Sequence, residues 1–371
     1  MHDAGRGAAA SAVRAPGPET RKAYLDYIHR FRGFSILCIV LYHAGRTYML
    51  RGLVPPAAPD YAGLVVLDVV FHGATIFFTL ISGVLYARLF APLPYRTFLR
   101  QRVGRLVPPY VFVSVVLTGG GWIADRLRSG TWRPPGDMAR ELAVNLATGE
   151  AWYTLWYVPL ILAFYVLSPL LLDLVRRAGN LVLVTLVALP LVFSRTGTEL
   201  SVPIFFYFLG PYVLGLWIGA DLEGQIGRVR DARTWLLACT GIATVALVVV
   251  HLDGIDHLGP VSIREALFYV QKVSAGCLVL QAFHADRAPN RFAAALLDRA
   301  GATAFGLYFL HAPIERGFVA LLRMGLRPEP GALSDPLAIA LVFGLSLVAC
   351  WAVIGVSRRL LGGFSRYLIG A

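Results

Sequence analysis

The sequence predicts an all-α protein, a polytopic integral membrane bundle of about ten transmembrane helices. Three observations carry that expectation. Only 15% of the 371 residues are charged and 57% are hydrophobic, whereas a soluble domain is about 25% charged. Residues 106–124, 151–172, 200–220, 234–250 and 337–357 each lack Asp, Glu, Lys and Arg, and each approaches the roughly 20 residues that cross a bilayer. The arginines gather in short loops between these runs, as they do in integral membrane proteins. That placement explains the net charge of +12 without a nucleic-acid partner.

Taken in order, residues 1–22 are rich in Ala, Gly and Pro and read as a disordered cytoplasmic tail. No apolar core with a cleavage site precedes Tyr24, so no signal peptide is expected. Residues 23–360 form the transmembrane domain, and 361–371 a cytoplasmic C-terminal tail. The first segment is 33–50. The second, 61–89, holds Asp68 and His72 and leads into a basic loop with Arg96, Arg100, Arg102 and Arg105. The third is 106–124, followed by a loop of mixed charge with the turn former Arg133-Pro134-Pro135-Gly136. The fourth is 152–173, the short fifth 180–194, the sixth 202–220, the seventh 234–251. The eighth, 263–283, carries Lys272; the ninth is 301–322 and the tenth 337–357. Prolines within these runs imply kinked helices around an internal cavity. The four cysteines, Cys38, Cys239, Cys277 and Cys350, all fall inside spans with no paired metal spacing. They read as small apolar residues packing between helices.

Ten spans put both termini on one side of the membrane. That side then holds 22 of the 34 Lys and Arg residues, against 12 for everything else. The excess marks the cytoplasm, so the chain reads as a multi-pass protein of the cell (inner) membrane with both termini cytoplasmic.

The candidate chemistry begins in the first segment. Arg32 precedes an uncharged run that ends at His43. At about 1.5 Å of rise per residue, His43 lies roughly 16 Å beyond Arg32, about half of a bilayer core that is ~30 Å thick. An ionisable group at that depth is a functional candidate; depth alone also admits a neutral histidine bonded to a neighbouring helix. Asp68 and His72, and likewise His311 and Glu315, are four residues apart, so each pair shares a helix face. A carboxylate there can fix a histidine's tautomer, while the set lacks the dense cluster that a metal site needs. For the Asp68 pair, a structural role is as well supported as a functional one. Trp152 and Trp156 suit an interfacial position, and Ser82-Gly83 a close helix contact.

Five motifs in order resemble a known family. Arg32 and His43 are separated by ten residues. The second segment reads Phe77-Phe78-Thr79-Leu80-Ile81-Ser82-Gly83. The basic loop reads Arg102-Val103-Gly104-Arg105-Leu106-Val107-Pro108. The fourth segment opens Leu155-Trp156-Tyr157, and the ninth holds Tyr308-Phe309-Leu310-His311-Ala312-Pro313. Together these are similar to the acyltransferase-3 family, membrane-bound O-acyltransferases acting on glycans and other extracytoplasmic acceptors. One departure stands out: Thr154 occupies a position where the family often has a histidine.

The resemblance implies acyl transfer, with acyl-coenzyme A, acetyl-coenzyme A in the simplest case, as co-substrate and no bound cofactor. Its partners would be that donor, a glycan or other hydroxylated acceptor and membrane lipid, with a homodimer as the candidate assembly. His43 would act as general base or carry the acyl group itself, with His311 and Glu315 as further catalytic candidates. Arg32, Arg102 and Arg105 would meet the donor's phosphates. Trp156, Ser82 and Tyr308 complete the substrate-binding candidates. A rival reading, a membrane transporter or exporter of a small polar molecule, uses the same buried Arg and His along a permeation path.

Overall fold

The computed structural model describes residues 18–50, 61–195, 200–254, 256–285, 290–325 and 335–371. Most of the sequence-predicted tail, residues 1–17, lies outside the described residues. The described residues are 86% helical. The one sheet among the described residues is a minimal hairpin pairing His257–Leu258 with Val261–Ser262.

The chain begins with α1 (Pro18–Leu50), whose 33 residues extend for about 50 Å. The second predicted span is not one helix. It is divided into α2 (Tyr61–Phe71) and α3 (Thr75–Leu85). The chain turns at Gly73, whose φ of +73° is costly for any residue with a side chain. The break frees carbonyl groups in a place without water. Lys272, only 2% exposed, donates from Nζ to Val69 O and Val70 O at 3.4 and 2.7 Å and so caps the end of α2.

A π-helical turn (Tyr86–Phe90) leads to α4 (Tyr95–Ser129), 35 residues long, and α5 (Pro135–Thr148) folds back along it. Hydrogen bonds fix that hairpin: Trp122 Nε1 to Glu141 (2.8 Å), Asn145 to the Thr118 hydroxyl (2.9 Å), and the Tyr110 hydroxyl to Leu146 O (2.9 Å) and Asn145 O (3.1 Å). The loop read from sequence as irregular is thus mostly a helix. Then come α6 (Tyr157–Arg177), the short α7 (Asn180–Ala188), α8 (Val202–Ala220), α9 (Leu222–Asp231) and α10 (Arg233–Asp253). The remainder is α11 (Ile263–His284), α12 (Arg291–Ala302), α13 (Ala304–Gly325), α14 (Asp335–Leu361) and α15 (Ser365–Ile369). Side-chain oxygens of Ser201, Asp221, Ser262 and Asn290 cap α8, α9, α11 and α12, each satisfying an amide that the first turn leaves unpaired.

Among the described residues seven stretches are long and apolar enough to cross a membrane: 65–90, α4, α6, α8, α10, α11 and 337–369. The sequence-based count was ten. The α7 region is apolar but short. Helices α1 and α13 are long enough but are not among the seven; they carry Arg32, His43 and Arg46, and His311, Glu315 and Arg316.

Helix α10 shows how the bundle meets its surroundings. Trp235, Ile242, Val245 and Val249 are at least half exposed, while Ser35, His311 and Glu315 are fully buried. An apolar exterior around a polar interior is the arrangement a lipid solvent demands. Cys38, Cys277 and Cys350 are buried as expected, but Cys239 is exposed on α10. Helices α3 and α8 cross most closely at glycines. A Cβ on Gly83 would stand 2.3 Å from Tyr212 O, and one on Gly215 would stand 2.2 Å from Leu80 O. The contact is backbone against backbone, as small residues permit.

Candidate functional site

Two cavities lie along α1. The first, 360 Å³, is lined by Tyr42, His43, Arg46, His72, Tyr153 and Glu265, among others. The second, 200 Å³, is lined by Arg32, Ser82, Arg102, Arg105 and an apolar wall that includes Phe78, Ile81, Leu85 and Ile161. Four residues line both: Ile39, Thr75, Tyr157 and Tyr308. The cavities therefore abut at these four side chains. Arg32 and Arg46 mark their outer parts, 14 positions apart on one helix, about 21 Å by helical rise.

His43 stands one turn beyond Ile39 and lines the larger cavity. Its ring centroid is 5.3 Å from that of His311 and 5.3 Å from that of Tyr153. His311 is fully buried, and its Nδ1 lies 2.8 Å from Leu307 O. A carbonyl only accepts, so Nδ1 carries the hydrogen and the neutral ring presents its lone pair at Nε2. That nitrogen is buried without a partner, as are His43 Nδ1 and both Glu315 oxygens. Glu315 is fully buried one turn beyond His311, but the two side chains share no hydrogen bond and Glu315 lines neither cavity.

The expected Asp68–His72 side-chain pair does not form. The two share the backbone bond of the helix, His72 N to Asp68 O at 2.8 Å. The His72 ring instead faces Glu265 and Tyr42. Nε2 lies 3.6 Å from Glu265 Oε1, and Nδ1 lies 2.7 Å from the Tyr42 hydroxyl. Arg46 donates to that same hydroxyl at 2.9 Å. A carboxylate beside Nε2, though beyond hydrogen-bond distance, favours the hydrogen there, which leaves Nδ1 to accept from Tyr42. A chain of hydrogen bonds thus runs from Arg46 through Tyr42 to His72, beside His43.

The basic candidates gather around the smaller cavity. The Arg102 guanidinium lies 4.0 Å from the Phe90 ring centre, and Arg32 lies 5.5 Å from that of Phe305. Arg102 Nε is buried without a partner, whereas Arg105 is exposed. Trp156 is not interfacial: it is 3% exposed, lines the larger cavity and lies under Arg195 at 4.9 Å. Tyr308 donates its hydroxyl hydrogen to Thr154 O, so the position where the family often has histidine is engaged through its backbone.

Sequence reasoning missed Glu265, Arg195, Tyr153 and Tyr157. Glu265 sits in the first turn of α11 and resembles an ordinary acidic N-terminal residue. Tyr153 and Tyr157 lie in an aromatic run where nothing distinguishes lining residues from packing ones.

A bundle with polar groups inside, apolar groups outside and two abutting cavities, the larger lined by His43, defines a multi-pass membrane protein. A family model described as "Acyltransferase domain" matches residues 25–355. The chain belongs to that family, acyltransferase 3, and is a membrane acyltransferase. No curated protein and no solved structure matches it.

Proposed function

We propose that this protein moves an acyl group, acetyl in the simplest case, from coenzyme A to a sugar hydroxyl of a surface polysaccharide, lipid-linked glycan or glycosylated metabolite. The observation that carries the reading is the pair of abutting cavities with His43 one turn beyond their shared wall. The smaller cavity suits a slender apolar chain with anionic groups at one end. Arg32, Arg102 and Arg105 would hold the donor's phosphates, because a guanidinium fork matches phosphate oxygens. Ser82 and the apolar wall would flank the arm that carries the thioester towards Tyr308. The larger cavity, with Trp156, Tyr42 and the His72–Glu265 pair, offers the mixed aromatic and polar lining that a sugar requires.

His43 would take the hydroxyl proton as the acceptor oxygen attacks the thioester carbon, then return it to the departing thiolate. His311, enclosed behind it, and Glu315 would set the electrostatics of that imidazole. The excess of Lys and Arg at the N-terminal side supports an orientation with both termini in the cytoplasm, which would open the arginine-lined cavity to the cytoplasmic pool of donor.

The test is direct. Purified protein in detergent, given acetyl-coenzyme A labelled in the acetyl group, should release free thiol as label passes to water or to an added glycan. A transporter leaves the thioester intact, and that result would reject the reading.

A further inference from the structure

We infer that Tyr153 is a further catalytic residue, the hydrogen-bond donor to the oxyanion that forms on the acyl carbonyl. The inference rests on the acyl-transfer reading above and names a group that the reading does not use.

Tyr153 lines the larger cavity, its ring set edge-on to His43 at 5.3 Å with an interplanar angle of 65°. Its hydroxyl is buried and makes no hydrogen bond. The Thr47 hydroxyl, one turn beyond His43, is a polar neighbour but forms no bond of normal geometry with it. A buried hydroxyl without a partner costs about 1–3 kcal/mol, and folded proteins satisfy nearly all such groups. Here the unsatisfied donor stands beside the histidine best placed to act as base.

The backbone around it is held on both sides. Gly149 turns the chain at φ +83°, so close to the next strand of backbone that a Cβ there would lie 2.5 Å from Trp156 Cα. Trp152 lies under the Arg316 guanidinium at 5.3 Å. Thr154 is tied through its carbonyl to the Tyr308 hydroxyl, and Tyr308 belongs to the wall between the cavities. Tyr153 is thus a firmly mounted donor whose hydroxyl makes no hydrogen bond among the described residues, the arrangement that preorganised transition-state stabilisation requires.

The step balances as follows. The acceptor oxygen bonds to the carbonyl carbon and its proton passes to His43. The carbonyl π pair moves onto oxygen, where the Tyr153 O–H donates to it. Collapse reforms the carbonyl and breaks the carbon–sulfur bond, and the coenzyme A thiolate takes the proton from the imidazolium.

Tyr153→Phe separates this role from a structural one, because the two predict opposite signs. Acetyl-coenzyme A with water as acceptor serves as probe, so no acceptor need be known. The hydroxyl makes no bond in the resting protein, so its removal should leave the thermal midpoint unchanged or raise it. Loss of an oxyanion donor should lower kcat about 100- to 1,000-fold with donor KM unchanged. Retained kcat would overturn the inference, and so would a fall in activity matched by a fall in thermal midpoint. If the wild-type protein itself leaves the thioester intact, the acyl-transfer reading fails and takes this inference with it; an active wild type with an equally active variant rejects the inference alone.

Discussion

Replacing His43 by Gln sets two magnitudes against each other. A general base contributes roughly 100- to 10,000-fold in rate, which is about 2.7 to 5.4 kcal/mol of barrier at about 1.36 per tenfold. The structural cost of the change is smaller. His43 Nδ1 has no hydrogen bond to lose. The ring makes edge or tilted contacts to Tyr42, Tyr153 and His311 at 5.0, 5.3 and 5.3 Å. Such pairs are worth about 0.5–1.5 kcal/mol each beyond their area, and glutamine keeps most of the bulk. The variant should therefore insert, purify and melt within a few degrees of wild type while its turnover falls at least a hundredfold. The assay is release of free thiol from acetyl-coenzyme A per folded molecule, with the thermal midpoint recorded on the same preparation. Near-normal turnover in a folded His43→Gln protein would make this histidine a packing residue and refute the mechanism. A collapse in stability parallel to the lost activity would refute the claim that its nitrogen is unengaged.

Three other outcomes follow from the geometry. Arg105→Ala changes an exposed side chain at the smaller cavity, so folding should be unaffected while donor affinity falls tenfold to a hundredfold, the worth of a ~1.5–3 kcal/mol charge-assisted contact; titration of the variant with acetyl-coenzyme A checks this, and unchanged affinity reassigns the arginine to lipid headgroups. Gly83→Val places a side chain where Tyr212 O already stands 2.3 Å from the first added carbon, and overpacking of that kind should cost about 1–3 kcal/mol, seen as a lowered thermal midpoint. A reporter active only outside the cytoplasm, fused after Ala371, should be silent; activity there would overturn the orientation drawn from the charge count.

Sequence periodicity and hydropathy revealed what depends on a single helix. The apolar runs of α4, α6, α8, α10, α11 and α14 were visible because lipid exposure writes itself into composition. So was His43, whose oddity is its depth along one span. What failed needs a second segment. The break between α2 and α3 is held by Lys272, about 200 positions further on, so 61–89 looks continuous when read alone. His72 has a carboxylate at the right helical spacing, Asp68, yet its ring turns to Glu265 on α11 because that helix packs across the cavity. The amphipathic helix α5 carries too many charges for a hydropathy reading, so its stretch looked like a loop. Tyr153 is unremarkable in an aromatic run and becomes distinctive only when its hydroxyl is seen to lack a partner.

The wall between the cavities has an electrical consequence. A membrane that stores a proton gradient loses it through any continuous file of water and polar groups. The protein lays much of such a file, with Arg46, Tyr42 and His72 on one side and Arg32, Arg102 and Arg105 on the other. Ile39, Thr75, Tyr157 and Tyr308 interrupt it, and two of these spend their hydroxyls on internal partners: Tyr308 on Thr154 O and Tyr157 with Thr79 at 3.2 Å. On the proposed function, the partition across which an acyl group is handed would also be the seal that keeps the bilayer insulating. Its side chains would then be constrained from both directions, since a larger gap would leak ions and a thicker barrier would part the reactants.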